Sequence, residues 1–190
     1  MATRSKGRHG SAGKDAIALL ESDHTAVQRL FKQFEKLKDG EGNDEEKAEL
    51  VRHICDELKV HTQIEEEIFY PAVRDAIDDD ALMDEAEVEH AGAKETISHL
   101  ESMHPGDELY DAKVTVLGEY VNHHIKEEEG RMFPEVRKSG LDTKALSTQL
   151  MERKHELQEQ TESEPGAERG AGELQPEGQP ERGRPARAGH

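Results

Sequence analysis

The sequence predicts an all-α protein, an up-down-up-down four-helix bundle with a short extra C-terminal helix. Apolar residues recur at three- and four-residue steps through residues 14–160, which is the spacing of one buried helix face. Proline occurs in this region only as Pro71, Pro105 and Pro134, near predicted helix ends or bends. The connections are short, and short connections make sequential helices antiparallel neighbours.

This spacing predicts five helices, over residues 15–38, 44–76, 80–103, 106–138 and 142–160. The first helix shows the pattern clearly, with Ile17, Leu20 and Val27 on one face. The second is expected to bend at Pro71, because proline lacks the N–H that continues a helix. The fifth helix follows Gly140 and is expected to pack on the outside of the bundle.

Both ends of the chain are poor in apolar residues. Residues 1–13 are rich in Gly, Ser, Arg and Lys, and residues 161–190 are rich in Pro, Gly, Glu and Arg. Such segments cannot bury enough apolar surface to offset the lost chain entropy, so both are predicted to be disordered. A single domain over residues 14–160 is expected between them.

The net charge and the cysteine content exclude several classes of function. A net charge of −18 is unfavourable for binding nucleic acid or an anionic membrane, and neither is an expected partner. Cys55 is the single cysteine, so a disulfide within the chain is impossible. Chains without disulfides are typical of proteins in reducing compartments. No apolar run is long enough for a bilayer or placed as in a secretory signal. The expected location is the cytoplasm.

Histidine stands on the apolar face of each of the first four predicted helices, where an apolar residue is expected. On the second and fourth helices a glutamate follows four residues later on the same face. An unpaired carboxylate in a helical core costs several kcal/mol. A shared metal centre accounts for all of these residues together. The candidate metal ligands are His24, His61, Glu65, His90, His124 and Glu128.

The two halves of the chain repeat this pattern. The segment HTQIEEEIFYP in the first half corresponds to HHIKEEEGRMFP in the second. Aligning their final prolines places His61 on His124 and Glu65 on Glu128. The alignment selects His124 rather than His123, which points about 100° away on the helix. The repeat predicts a pseudo-symmetric site in which two carboxylates bridge two metal ions.

The order His, His-x-x-x-Glu, His, His-x-x-x-Glu, with FYP or MFP after the acidic runs, resembles the bacterial hemerythrin-like (HHE cation-binding) domains over about residues 15–160. The resemblance implies two non-haem iron ions (Fe²⁺/Fe³⁺) with a bridging oxygen ligand, held in a four-helix bundle. It implies the four histidines as terminal ligands, and Glu65 and Glu128 as bridges. The implied partner is a small diatomic or peroxide ligand: oxygen, nitric oxide or hydrogen peroxide.

One position departs from the oxygen-carrying hemerythrins. Those proteins have a further histidine one turn after the third-helix histidine, where this chain has Lys94. Without this histidine, one more coordination position on the iron ions is open. An open position favours small-molecule chemistry, such as catalase-like peroxide disproportionation, over simple storage. The alternative is an oxygen-sensing, iron-sensing or storage module without turnover. The sequence names no protein partner for the tail.

A ferritin-like di-iron site is a rival interpretation, because Glu21 and Glu87 stand three residues before His24 and His90. The short connection between the second and third helices disfavours it. If the rival is wrong, these two glutamates are candidates for orienting the imidazoles by hydrogen bonds. The remaining glutamates of the acidic runs are expected to be solvated or to support the ligands, and Tyr70 is expected to pack in the core.

Overall fold

The structure, a computed structural model, describes residues 15–40 and 43–163. Its helices are α1 Ala16–Asp39, α2 Asp44–Ile64, α3 Tyr70–Arg74, α4 Asp80–Glu101, α5 Tyr110–Glu127, α6 Phe133–Ser139 and α7 Thr143–Ser163. Two π-helical segments, Glu65–Phe69 and Glu128–Met132, join α2 to α3 and α5 to α6. The all-α prediction is confirmed. Residues 161–163, predicted as the start of a disordered tail, belong to α7 instead. The predicted disorder of residues 1–13 and 164–190 lies outside the described residues.

Local side-chain caps determine where three of the long helices begin. Asp15, Asn43 and Asp79 precede α1, α2 and α4, and each side chain accepts a hydrogen bond from the N–H three residues on, at 2.9, 2.9 and 3.1 Å. Such a bond satisfies one of the N–H groups that a helix start leaves unpaired. These three starts agree with the predicted ones to within a residue.

The start of α5 differs from the prediction. The apolar spacing predicts a helix from Gly106, but α5 begins at Tyr110. Gly106 and Leu109 both have positive φ, 94° and 70°. A right-handed helix cannot include such residues, so the chain forms a turn after Pro105 and enters α5 only at Tyr110.

The core consists of two apolar clusters at opposite ends of the helices. One cluster includes Leu20, Phe69 and Phe133, and α7 adds Leu146, Leu150 and Leu157 to it. The other is formed by residues of α1, α2, α4 and α5, among them Phe34 and Ile54. On α1, His24 lies between the residues that enter the first cluster and those that enter the second. The boundary between the clusters is therefore where the polar residues of the core meet.

Two further features of the helices concern Cys55 and the membrane. Cys55 is buried in the second cluster, and burial raises its thiol pKa to about 12. This agrees with a structural rather than reactive cysteine. Among the helices of the described residues, none combines the length and the apolar character needed to cross a bilayer.

Candidate metal centre

The six predicted ligands lie together in the centre of the bundle, and none is more than 8% exposed. Their donor atoms form two groups, and within each group the atoms lie within 4.8 Å of one another. Group A comprises His24, His61, Glu65 and Glu128. Group B comprises Glu65, His90 and His124. Glu65 belongs to both groups, so the two donor sets share a carboxylate.

Each central carboxylate lies between one imidazole of each group. Glu128 Oε2 is 3.2 Å from His24 Nε2 and 3.5 Å from His124 Nε2. Glu65 Oε2 is 3.2 Å from His61 Nε2 and 3.5 Å from His90 Nε2. The pseudo-symmetry predicted from the sequence repeat is therefore present in the positions of these atoms.

Two π-helical segments place the glutamates. In each, the N–H five residues after the glutamate donates to its carbonyl: Tyr70 to Glu65, and Phe133 to Glu128. The sequence predicts continuous helices with a bend at Pro71, so these segments are a correction. Proline has no N–H and clashes with the preceding turn of an α-helix, which the wider π turn relieves. The prolines that aligned the repeat thus also account for the local backbone at both glutamates.

Several donor atoms of the centre are buried and find no hydrogen-bond partner among the described residues. These atoms are His24 Nε2, His61 Nε2, both oxygens of Glu65, and Glu128 Oε2. Leaving such groups buried and unpaired costs about 1–3 kcal/mol each. A cation among them would accept all of these lone pairs at once, and imidazole with carboxylate is a common donor set for divalent metals. The residues present therefore fit a metal.

The metal-free centre is only partly in the protonation state that binds a metal. Burial opposes protonation of His24, but its contacts with Glu128 and Glu129 outweigh burial and raise the pKa of His24. Burial raises the pKa of Glu65 well above its usual range, and the negative charge of Glu128 raises it further. Burial also opposes ionisation of Glu128, but the neighbouring His124 and His24 outweigh it and lower its pKa to about 2. Burial and the charge of His124 lower the pKa of His90 to about 4. His90 is therefore neutral near pH 7, the form in which imidazole binds metals.

Comparison with known proteins decides the family. The family model described as hemerythrin HHE cation binding domain matches residues 15–136. The chain belongs to this family. The resemblance inferred from the sequence is thereby confirmed, and the family description agrees with residues positioned to bind a metal.

Two individual proteins resemble this hemerythrin-family chain. A crystal structure of a hemerythrin HHE cation binding domain-containing protein from Mycobacterium kansasii covers 77% of this chain and 89% of its own, with a TM-score of 0.65 and 23% identity. That likeness shows the fold. A protein described as a DNA nickase from Nostoc sp. is 26% identical over 147 residues. The match covers 74% of this chain but 39% of that protein, so the chain spans about two fifths of its relative's length.

The outer nitrogen of each imidazole in this hemerythrin-family domain faces a carboxylate. The distances from Nδ1 to the carboxylate oxygen are 2.9 Å for His24–Glu129, 3.0 Å for His90–Glu66, 2.8 Å for His124–Glu89 and 3.7 Å for His61–Asp23. A carboxylate at Nδ1 holds the proton there and leaves Nε2 free to bind a metal. In all four imidazoles Nε2 is the nitrogen that points to the centre.

The supporting carboxylates agree only in part with the sequence expectations. Glu66 and Glu129 lie in the acidic runs and support His90 and His24, which is one of the two roles expected for those glutamates. Glu21 and Glu87 were candidates for orienting the imidazoles, and that interpretation is wrong. Glu21 instead pairs with Arg137 at 2.9 Å, and Glu87 pairs with Arg74 at 3.0 Å. A residue three before the histidine lies one turn away along the same helix, whereas the residue directly before it points sideways towards the neighbouring helix. The ferritin-like interpretation, which needs these glutamates as ligands, finds no support.

The structure also shows what stands near the missing fifth histidine. Lys94 Nζ donates to Glu66 at 2.6 Å, so it supports the partner of His90 rather than entering the centre. The Tyr70 hydroxyl lies 3.2 Å from both His90 Nε2 and His124 Nε2. It is therefore a candidate further donor for group B.

Tyr70 is the functional residue that the sequence interpretation missed. Its side chain is buried, as predicted, but its hydroxyl also donates to Glu128 Oε1 at 3.0 Å. The internal repeat could have indicated this role. Tyr70 aligns with Phe133, so the first half has a hydroxyl at a position where the second half has only an apolar ring. The Phe133 ring stacks on His24, with centroids 5.8 Å apart and planes 4° apart.

A small cavity lies against the imidazoles, on the side of the second apolar cluster. Its volume is about 20 Å³, and the side chains that separate it from solvent include Val27, Leu58, Ala93 and Val121. A cavity of this size holds one molecule the size of water. Tyr120, which is 51% exposed, lies at its rim. The arrangement gives a diatomic molecule an apolar space beside the centre.

Proposed function

We propose that this chain is a non-haem di-iron protein that binds or reacts with a small oxygen or nitrogen oxide. The observation that carries the proposal is the pair of donor groups sharing Glu65, with buried lone pairs that the described protein atoms leave unused. In this proposal His24 and His61 hold one iron, His90 and His124 hold the other, and Glu65 and Glu128 bridge them. Bound iron would supply redox chemistry and open coordination positions.

The cavity favours a neutral diatomic ligand, oxygen or nitric oxide, over hydrogen peroxide. Peroxide loses hydrogen bonds to water when it enters an apolar space, and an uncompensated loss of this kind costs several kcal/mol. The exposed lining is mostly apolar, as at Val27, Leu58 and Ala93, and its polar groups belong to Thr62, Glu89, Tyr120 and the four imidazoles. The apolar lining also excludes bulk water from the imidazoles. Catalase-like turnover is therefore the second candidate, with the Tyr70 hydroxyl as the polar group near the centre.

A DNA substrate is not proposed for this chain. The relative described as a DNA nickase is more than twice as long as the matched part. The net charge of −18 opposes approach to a polyanion.

Metal content tests the proposal directly. Protein from iron-supplemented cells is expected to contain about two iron atoms per chain, and His61→Ala or Glu128→Ala is expected to bring this value close to zero. The loaded protein is then exposed to oxygen, nitric oxide or hydrogen peroxide while absorption and peroxide consumption are followed. Negligible iron even after anaerobic reconstitution with ferrous ions would overturn the di-iron proposal.

The cavity has a test of its own. Ala93 is 7% exposed and lines the cavity beside His90. The larger side chain in Ala93→Leu is expected to slow nitric oxide and oxygen binding severalfold without changing the iron content, because the added carbons fill the apolar cavity. Ala91→Leu, at an exposed position of the same helix, is the matched control. Equal binding rates in both variants would show that ligands reach the centre by another path.

A further inference from the structure

Helix α7 reaches the metal centre through Lys154. The Lys154 ammonium lies 2.7 Å from Asp23 Oδ1, and the two side chains are only 17% and 13% exposed. Asp23 directly precedes His24 and faces Nδ1 of His61 with its other oxygen. Because this largely buried carboxylate lies between a lysine and an imidazole, a change in the position of the lysine can change the position of the imidazole. Lys154 therefore lies two contacts away from a candidate metal ligand.

The contact between Asp23 and His61 differs from its three equivalents. Its separation is 3.7 Å, whereas the other imidazoles meet their carboxylates at 2.8–3.0 Å. Asp23 Oδ2 and His61 Nδ1 are both buried and find no hydrogen-bond partner in residues 15–40 and 43–163. These two atoms face each other just beyond hydrogen-bonding distance. The Lys154 ammonium contacts the other oxygen of Asp23.

A second contact ties α7 to the other side of group A. Arg153 Nε and Nη2 bind the two oxygens of Glu67 at 2.7 and 3.2 Å. Glu67 belongs to the π-helical segment that begins with Glu65. Two consecutive residues of α7 therefore bind close to candidate ligands: Lys154 binds the residue before His24, and Arg153 binds the residue two after Glu65. This helix lies beyond residues 15–136, which the family model matches.

Within the part of the chain that the structure describes, no lysine contact is found at the pseudo-symmetric position in the second half. Glu89 corresponds to Asp23, and it contacts His123 Nε2 at 3.3 Å. The His123 side chain is 64% exposed, so its contact is screened by water. The two donor groups are therefore similar but not equal: in group A a lysine of α7 contacts Asp23, and in group B Lys94 contacts Glu66.

We propose that Lys154 is a positioning residue for the metal centre: by binding Asp23 it sets where that carboxylate lies relative to Nδ1 of His61, and thereby sets the affinity of group A for its metal. This inference rests on the proposed di-iron function. A carboxylate that accepts the Nδ1 proton orients a metal-bound imidazole and raises its basicity, and losing such a partner typically costs 10- to 100-fold in affinity. Lys154 acts through that carboxylate, so the expected effect is at the low end of this range.

The test compares Lys154→Met with Lys154→Arg and with Lys144→Met, a matched control at an exposed position of the same helix. Anaerobic titration with ferrous ions is expected to show one of the two metals bound about tenfold more weakly in Lys154→Met. The other metal should be unaffected. Lys154→Arg, which keeps a cation beside Asp23, is expected to restore most of the affinity. Equal weakening of both metals, or none, would overturn the proposal.

A double variant shows whether the effect passes through Asp23. Asp23→Asn removes the charge to which Lys154 binds, so adding Lys154→Met to it is expected to produce no further loss of affinity. Additive losses would mean that Lys154 acts by another path, such as the general stability of α7. Melting temperatures of the metal-free variants identify any variant that fails to fold, and Lys154→Arg then carries the comparison.

A measurement without metal separates this inference from the proposed function. Ring ¹⁵N chemical shifts of the metal-free protein are expected to change for His61 in Lys154→Met and to stay constant for His90. If the wild-type protein bound no metal, the di-iron function would fail, while these shifts would still decide whether Lys154 positions His61. Unchanged His61 shifts would overturn the positioning role whatever the metal content.

Discussion

Replacing Glu65 by leucine is expected to abolish metal binding in both donor groups and to make the metal-free protein more stable. Glu65 is fully buried, and neither of its oxygens has a hydrogen-bond partner within the described parts of the chain. Burial and the charge of Glu128 raise its pKa well above the usual range. Without a metal this side chain is a buried polar group that nothing satisfies, so removing it relieves a cost of about 1–3 kcal/mol.

Chemical denaturation in the presence of a chelator, together with metal analysis, measures both effects. Glu49→Leu is the matched control, because Glu49 is exposed on α2, the helix that leads directly into the π-helical segment of Glu65. It should leave iron content and stability nearly unchanged. Wild-type protein should gain stability on adding iron, since a ligand that binds the folded state stabilises it, and Glu65→Leu should not. A metal-free Glu65→Leu protein less stable than wild type would mean that the centre is satisfied without a cation.

Removing the hydroxyl of Tyr70 is expected to change group B more than group A. The oxygen lies 3.2 Å from the Nε2 atoms of His90 and His124 and donates to Glu128 at 3.0 Å. Tyr70→Phe keeps the ring and deletes this oxygen alone. Loss of a polar group that ligates the metal or supports a ligand typically costs 10- to 100-fold in metal affinity, so one iron should bind more weakly by about that factor.

Two controls make the Tyr70 result specific. Tyr110→Phe removes a hydroxyl from a tyrosine buried in the second apolar cluster, and it should leave both metal affinities unchanged. In the iron-loaded protein, Tyr70→Phe is also expected to alter the visible absorption, because a tyrosine oxygen bound to ferric iron absorbs visible light. Unchanged affinity and spectrum would return Tyr70 to the core-packing role that the sequence predicts.

Agreement between sequence and structure is best where a single helix carries the information. Apolar spacing reports which face of a helix is buried, so a histidine or glutamate on that face is recognised as a buried polar residue. His24 and His90 were found in this way, and the internal repeat selected His124 over His123. Side-chain caps such as Asp15 and Asp79 likewise act on their own helix, and they mark its start in the sequence.

The disagreements arise where two helices meet. The partners of the imidazoles lie on neighbouring helices or segments, and helical spacing gives no information about which side chains face each other across a bundle. Glu21 was therefore a candidate partner of His24, where the structure places Glu129. The π-helical segments shift the register after Glu65 and Glu128, which no periodic pattern anticipates because the extra residue interrupts it.

The sequence by itself determined the all-α class, the family and the six buried residues that line the centre. The apolar periodicity and the internal repeat are patterns in the order of residues along the chain, so they can be recognised without knowing how the helices pack. Only the tertiary structure decided which carboxylate faces each imidazole, that the hydroxyl of Tyr70 lies beside the nitrogens of group B, and that Lys154 of α7 reaches Asp23. Those facts depend on how far each helix is turned and shifted against its neighbours, because hydrogen bonds and metal ligands require atoms from different helices to meet within a few tenths of an ångström.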